Sequence, residues 1–454
     1  MSVLRPTGLA TAAVRSRPSA LAGAFAAFVL VATVVTGSVS MTVSASTAST
    51  ALPGADPAVR DQLAELSDLG IGFCVMTVYL AVFVISQVMA LAVAQRRRES
   101  ALLRAIGAEP GQIRRMVAVE ALGTALAALP VGYGLGALLG RFWLRGLATR
   151  GMAPADISFR VGWQPLVAAG AVLVVCSQLG GLIAGWRASR TRPSAALAES
   201  SVQGGERVGA VRGVASLVAL AGAVVLTVVA VAGSVENASQ MIPLVLLCHL
   251  AAIGLAGPWI GRCVIALCAR SRRAFGGVAG ELAVAGTRAR ARRLSAAITP
   301  VALVTAFAVA ELTTITGSRT DSPGEKWGTA FLTLVVVGFG GLVAANTLVM
   351  LALERLREFS LLRAVGAERW QVVRTVAAEC AIVTLAGVGT GLAAGCAVML
   401  PIGTRTGTPL SGVPVWAWLA VALGGAVLVG VFSGTPLLRM LRVRPMDGLT
   451  RRGN

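Results

Sequence analysis

The stretch Arg98-Glu99-Ser100-Ala101-Leu102-Leu103-Arg104-Ala105-Ile106-Gly107-Ala108-Glu109 returns 259 residues later as Arg357-Glu358-Phe359-Ser360-Leu361-Leu362-Arg363-Ala364-Val365-Gly366-Ala367-Glu368. The same offset pairs Gln112 with Gln371, Arg115 with Arg374, Val117 with Val376, Ala118 with Ala377 and Glu120 with Glu379. From 98 to 120, 14 of 23 positions are identical, and Gly132/Gly391 and Gly136/Gly395 keep the register. A match held at one offset over this length marks a duplicated structural unit.

The residues around each copy show where that unit lives. Of 454 residues, 56% are apolar and 13% charged, about half the ~25% charge of soluble domains. Mean hydropathy is +0.78. Apolar runs long enough to cross a bilayer lie near 19–41, 70–94, 113–140, 164–186, 213–233, 241–261, 295–316, 328–352, 372–400 and 413–437. The chain therefore reads as all-α, a polytopic membrane protein of about ten transmembrane helices. The first run is too long for a secretory signal and nine more follow, so it is read as a retained helix.

The formal net charge of +20 comes from 40 Lys+Arg against 20 Asp+Glu. These basic residues sit in short clusters between apolar runs and form no basic domain, which argues against nucleic acid as a partner. With an inside amino terminus, 32 of the 40 fall in inside segments and 8 in outside loops. That asymmetry places both termini in the cytoplasm. Cysteines introduced at Ser49 and Thr408 are accordingly expected to react with a membrane-impermeant reagent from outside, and one at Gly205 only from inside; protection of Ser49 in intact cells would sink the ten-span topology. The outside loops, near 42–69 and 317–327 among others, are too short for an independent domain, so no large extracellular domain is expected.

Six spans separate the copies, an even number, so the repeat is parallel. The expected organisation is two parallel four-helix units, 1–200 and 276–454, with an inserted helix pair at 201–275. The unit starts align as Arg17-Pro18-Ser19-Ala20 with Arg293-Leu294-Ser295-Ala296, and the ends as Arg192-Pro193 with Arg444-Pro445.

Several chemistries find no support. Lys326 is the only lysine, and Pro323-Gly324-Glu325-Lys326-Trp327 is not a phosphate-binding loop. Hydrolysis of ATP by that machinery is excluded for this chain alone, which reads as non-enzymatic. The seven cysteines lack metal-ligand spacing and read as small apolar residues. His249, inside Leu247-Cys248-His249-Leu250, reads as a packed intramembrane residue.

Within the repeated stretch, Leu102, Leu103 and Ile106 form an apolar stripe at helical spacing, with Arg98, Glu99 and Arg104 on other faces. Gly107 and Gly366 supply the left-handed residue that ends a helix. Pro110 suits the first turn of the next helix, where the second copy has Arg369. Glu109 and Glu368 favour the positive end of that helix. A short amphipathic hairpin projecting into the cytoplasm, present twice, is the result. Topology alone requires only Arg or Lys; a docking surface accounts for the rest of the motif.

The motif Arg-Glu-x-x-Leu-Leu-Arg-Ala-(Ile/Val)-Gly-Ala, with a glutamate about a dozen residues on, resembles the FtsX-like permeases, the membrane subunits of macrolide-exporter, lipoprotein-release and bacitracin-resistance ABC transporters. The resemblance covers roughly 70–200 and 281–450. It implies that Glu99, Leu103, Arg104, Gly107 and Ala108, and Glu358, Leu362, Arg363, Gly366 and Ala367, contact an ABC ATPase subunit, with two ATPase copies per chain. It implies no cofactor in this chain, ATP and Mg being bound by the partner, and a multi-pass location in a bacterial cell membrane surrounded by lipid. The implied activity is export or extraction of an amphipathic substrate such as a lipid, peptide, lipoprotein or drug. The rival readings are a signal relay to an extracytoplasmic partner and an ion-driven secondary transporter; the latter needs ionisable groups at the midplane, where no aspartate lies.

Gln87 and Asn346, related by the 259 offset, are intramembrane amides expected to tie helices together. Glu120 and Glu379 lie about 16 Å along their helices from Glu109 and Glu368, on the same face. Glycines at 132, 134, 136 and 140, and at 387, 389, 391 and 395, allow close helix contact, and are expected to bring helices two, three, eight and nine together at a central interface.

Overall fold

The computed structural model describes residues 18–51, 56–95, 102, 107–154, 157–189, 210–270, 291–317, 323–354, 361, 363 and 366–441. Its helices are α1 (Pro18–Ala51), α2 (Pro57–Gln95), α3 (Pro110–Ala148), α4 (Trp163–Ser189), α5 (Ala210–Ala232), α6 (Val235–Arg270), α7 (Ala291–Gly317), α8 (Pro323–Glu354), α9 (Arg369–Thr406) and α10 (Val415–Leu441). Each expected span falls in one helix. Nine are long and apolar enough to cross a membrane, and the apolar part of α6 is the shorter Met241–Gly257. No strand occurs among the described residues.

Contacts divide the chain into two compact units. The first holds 1–204 and 320–335, the second 205–319 and 336–454. In the first, α1 is the hub, packed along α3 and α2, with α4 against α3 and α2. In the second, α7 packs along α9, and the inserted pair joins this unit through α6, which lies against both α7 and α9. The second unit's core includes Ala297, Val301, Ala344, Leu348, Val388 and Val429.

The segment 42–69, read from the sequence as a loop, is helical over 42–51 and 57–69. α1 runs on to Ala51 and α2 starts at Pro57. At 1.5 Å per residue α1 is about 51 Å long and α2 about 58 Å, against roughly 30 Å of hydrocarbon. The extension's hydroxyls are satisfied within the helix: Ser44 donates to the Ser40 carbonyl (2.7 Å) and Thr47 to the Val43 carbonyl (2.7 Å). It is also packed, since Leu63 and Leu66 are buried and the Gln62 amide donates to the Gly151 carbonyl (3.3 Å). Pro57 occupies the first helical position of α2, where its missing N–H costs nothing.

The glycines of the third and ninth helices meet a different neighbour from the one expected. A methyl at Gly132 would crowd Ala32 and lie 2.9 Å from the Val29 carbonyl oxygen; at Gly136 it would lie 2.6 Å from that of Thr33 and 2.6 Å from Thr36 Cβ. At Gly391 the methyl would meet Thr305 and the Ala302 oxygen (2.7 Å), and at Gly395 Val309 and the Ala306 oxygen (3.1 Å). The stripes thus seat α1 on α3 and α7 on α9, inside each unit, because a glycine stripe lets backbones touch. Gly134 and Gly389 have nothing within 4 Å and take no part.

These four contacts also correct the alignment of the unit starts. Val29 matches Ala302, Ala32 Thr305, Thr33 Ala306 and Thr36 Val309, an offset of 273 rather than the 276 implied by Arg17/Arg293. Carried back along the sequence, the 273 offset pairs Arg15 with Arg288 and Arg17 with Arg290. Arginine-rich sequence on both sides made the shorter match look convincing.

Candidate functional site

Each duplicated hairpin follows the second helix of its set and leads into the third. Of the residues expected there, Glu99, Leu103, Arg104, Glu358 and Leu362 lie outside the described residues. Gly107, Ala108, Arg363, Gly366 and Ala367 are within them.

Gly107 has φ +100° and Gly366 φ +109°. Nothing lies within 4 Å of a methyl built at either position. Glycine is needed here for its torsion and not for space, because side chains rarely adopt positive φ. The Gly366 N–H donates to the Arg363 carbonyl (3.2 Å), closing the turn. The chain then becomes extended at Glu109 (φ −73°, ψ 149°) and Glu368 (φ −68°, ψ 149°), the residues that cap α3 and α9.

The two caps are alike in detail. The Glu109 N–H donates to Gln112 Oε1 (3.1 Å), and the Glu368 N–H to Gln371 Oε1 (3.1 Å). Gln112 and Gln371 are therefore repeated because each is the third residue of a capping box, a role that the charge argument for the glutamates missed. Gln112 opposite Gln371, three residues past a capping position, was the available signal. Ala367 packs on the first turns of α9, against buried Val372 and Val376, which explains a small residue after the glycine.

The hairpins present apolar surface. Leu102 is 51% and Leu361 49% exposed; they occupy matching positions, and sequence reasoning had favoured their neighbours Leu103 and Leu362. The second hairpin adds Trp370, 61% exposed, with the Arg374 guanidinium 5.5 Å from its ring centre. The first has Gly111 there, so the two surfaces share a frame and differ in one large side chain.

Glu120 and Glu379 are both buried, at 7% and 8% exposure, about three turns inside α3 and α9. Gln87 and Asn346 are half-buried. The His249 ring is buried, with Nδ1 2.9 Å from the Val245 carbonyl oxygen. A carbonyl only accepts, so Nδ1 carries the proton and donates within its own helix, as a packed residue does.

The sequence matches the FtsX-like permease C-terminal family over residues 71–193 and 330–445, just over half of the chain. Each matched region enters within the second helix of its set, runs through the hairpin and ends by the last helix. No curated protein matches the chain significantly.

Proposed function

Because the chain belongs to the FtsX-like permease family, we propose that its two hairpins each dock one ATPase subunit and that ATP-driven motion there moves an amphipathic compound outward. Membership makes the protein the permease subunit of an ABC transporter, a multi-pass membrane protein that works with ABC ATPase partners. The finer reading rests on one observation: the same glycine turn, Gln-capped helix start and exposed leucine recur at Gly107/Gln112/Leu102 and Gly366/Gln371/Leu361. Recurrence of an exposed leucine at the same position before both turns supports a surface that a partner covers in each copy.

In this reading Glu99, Arg104, Glu358 and Arg363 set charge register on the partner, while Leu103 and Leu362 add apolar contact. Gly107, Ala108, Gly366 and Ala367 shape the turn. ATP and Mg are held by the partner, and this chain carries no cofactor. In this reading the hairpins and both termini face the cytoplasm of a bacterial cell; the arginine asymmetry supports that orientation. Segments 1–200 and 276–454 are the duplicated units and 201–275 the insertion. Closure of the ATPase pair moves the chain because the two nucleotide states contact the hairpins differently.

The test is purification with the ATPase subunit encoded nearest this chain. Two ATPase copies per permease chain are expected, with no ATP hydrolysis by the permease alone. Specific turnover by the isolated chain would refute the assignment of hydrolysis to a partner.

A further inference from the structure

The loop that joins α3 to α4 in the first unit is pinned at three points. A methyl at Gly140 would lie 2.9 Å from Phe159 Cζ, so the Phe159 ring is seated against α3 where no side chain stands. The Arg160 N–H donates to Ser44 Oγ of α1 (2.9 Å), and the Tyr133 hydroxyl of α3 donates to the Gly162 carbonyl (3.0 Å). Beside these anchors lies a cavity of about 430 Å³, lined by Val43 and Thr47 of α1, Arg160, Val161 and Gly162 of the loop, and Gln164 of α4. That volume falls within the range of small-molecule sites. Thr47 donates its proton to the Val43 carbonyl (2.7 Å). Among the described residues, the side-chain donors left to line the cavity are the Arg160 guanidinium and the Gln164 amide, and no carboxylate lines it.

The cavity sits at the depth of lipid headgroups. The apolar part of α4, Trp163–Leu182, is 20 residues long, about 30 Å, which matches the hydrocarbon thickness of a bilayer. Its first residue is therefore at a membrane boundary, and Gly162 and Gln164 flank that residue. Tyr133 gives the same level from α3: it lies 23 residues beyond Pro110, about 35 Å along the helix from the hairpin. The cavity thus belongs to the leaflet remote from that hairpin. Trp163 is exposed at this boundary, the depth that indoles favour. Val167 and Val174 are exposed farther along the same face of α4 and offer surface to acyl chains. The second unit has no counterpart. The 252 offset that aligns Arg192 with Arg444, and the start of α4 with that of α10, puts Gly412, Pro414 and Trp416 in place of Arg160, Gly162 and Gln164.

We propose that this cavity holds the phosphate of an anionic phospholipid from the leaflet remote from the hairpin, with Arg160 as the charged contact, Gln164 as a second donor and the acyl chains along α4. A guanidinium matches phosphate in both charge and geometry. A lining without a carboxylate offers nothing to a choline cation, so a net-anionic headgroup is preferred. The site rests on α4 crossing the membrane and not on the reading of the hairpins as ATPase contacts. The test uses the full chain in a cysteine-free background carrying Thr47→Cys, in nanodiscs of phosphatidylcholine alone or of phosphatidylcholine mixed with phosphatidylglycerol. Reaction with an uncharged, water-soluble maleimide is expected to slow about tenfold when phosphatidylglycerol is present, the effect of one charge-assisted hydrogen bond. Arg160→Gln should react equally fast in both discs, and Arg160→Lys should keep part of the difference. The Arg160 side chain is exposed and its N–H anchor to Ser44 survives the change. Gly162→Leu keeps the arginine, fills the cavity and should also abolish the difference. Arg141→Gln, at an exposed arginine of α3 that does not line the cavity, should retain it in full. Equal rates in the two discs without these changes would overturn the headgroup site, as would a phosphatidylglycerol effect that survives Arg160→Gln. Equal slowing by inorganic phosphate added to phosphatidylcholine discs would make the cavity a site for a free anion and overturn the lipid.

Discussion

Replacing Gly136 by leucine, or Gly391 by leucine, is expected to destroy the packing of its unit. At Gly136 the new Cβ would lie 2.6 Å from a backbone oxygen of α1 and 2.6 Å from Thr36 Cβ; at Gly391 it would overlap the Thr305 hydroxyl and lie 2.7 Å from the Ala302 oxygen. Backbone atoms have no rotamer to change, so the helices must separate. Overpacking costs about 1–3 kcal/mol where side chains can adjust, and more where they cannot. Separation also uncovers α1, whose Phe28, Val31, Val35 and Met41 are buried. We expect each variant to aggregate on extraction or to melt well below the parent chain in detergent. Gly134→Leu and Gly389→Leu are the controls, since nothing lies within 4 Å of either glycine. Equal melting of Gly136→Leu and Gly134→Leu would show that the glycine notch does not hold α1 in place.

The second large effect is expected at the hairpins. If the hairpins dock the ATPase as proposed, Glu99→Arg/Glu358→Arg reverses charge at both contacts. Like charges across an interface cost several kcal/mol, and about 3 kcal/mol corresponds to a loss of ATPase affinity of roughly a hundredfold. Gly107→Val and Gly366→Val act through shape, since a β-branched residue at φ +100° or +109° is strained by about 1–3 kcal/mol. Normal expression with loss of ATPase co-purification is the anticipated result, stronger when both copies are altered. Single mutants should differ, because Trp370 keeps contact area in the second hairpin that Gly111 cannot supply. Wild-type ATPase retention by the double charge reversal would reduce these segments to topogenic loops.

The sequence alone determined the fold class, the duplication and the place of the hairpins. Those features are written in local terms: apolar runs long enough for a bilayer, a motif repeated at one offset, and Gly107 and Gly366 at helix ends. The glutamates and glycines of the hairpin could be read because a capped helix start and a positive-φ turn depend on residues a few positions apart. Gln112 and Gln371 stand in the same pattern, but charge does not mark them: each accepts from an N–H left free at a helix start.

What tertiary structure decided is which helix meets which. A glycine stripe declares that some backbone will come close and carries no address; Gly132, Gly136, Gly391 and Gly395 could face any neighbour until α1 and α7 were seen against them. Those contacts then set the 273 register, which no local match could, since the seventh helix shares few residues with the first. Hydropathy likewise could not show that 42–51 and 57–69 are helical. Their Ser, Thr and Pro lower the apolar signal, while the burial of Leu63 and Leu66 is a property of the folded bundle. The seat of Trp327 is of the same kind. Trp327 and Gly146 are 181 positions apart in the sequence, and only folding brings the indole against a position on α3 with no side chain to exclude it.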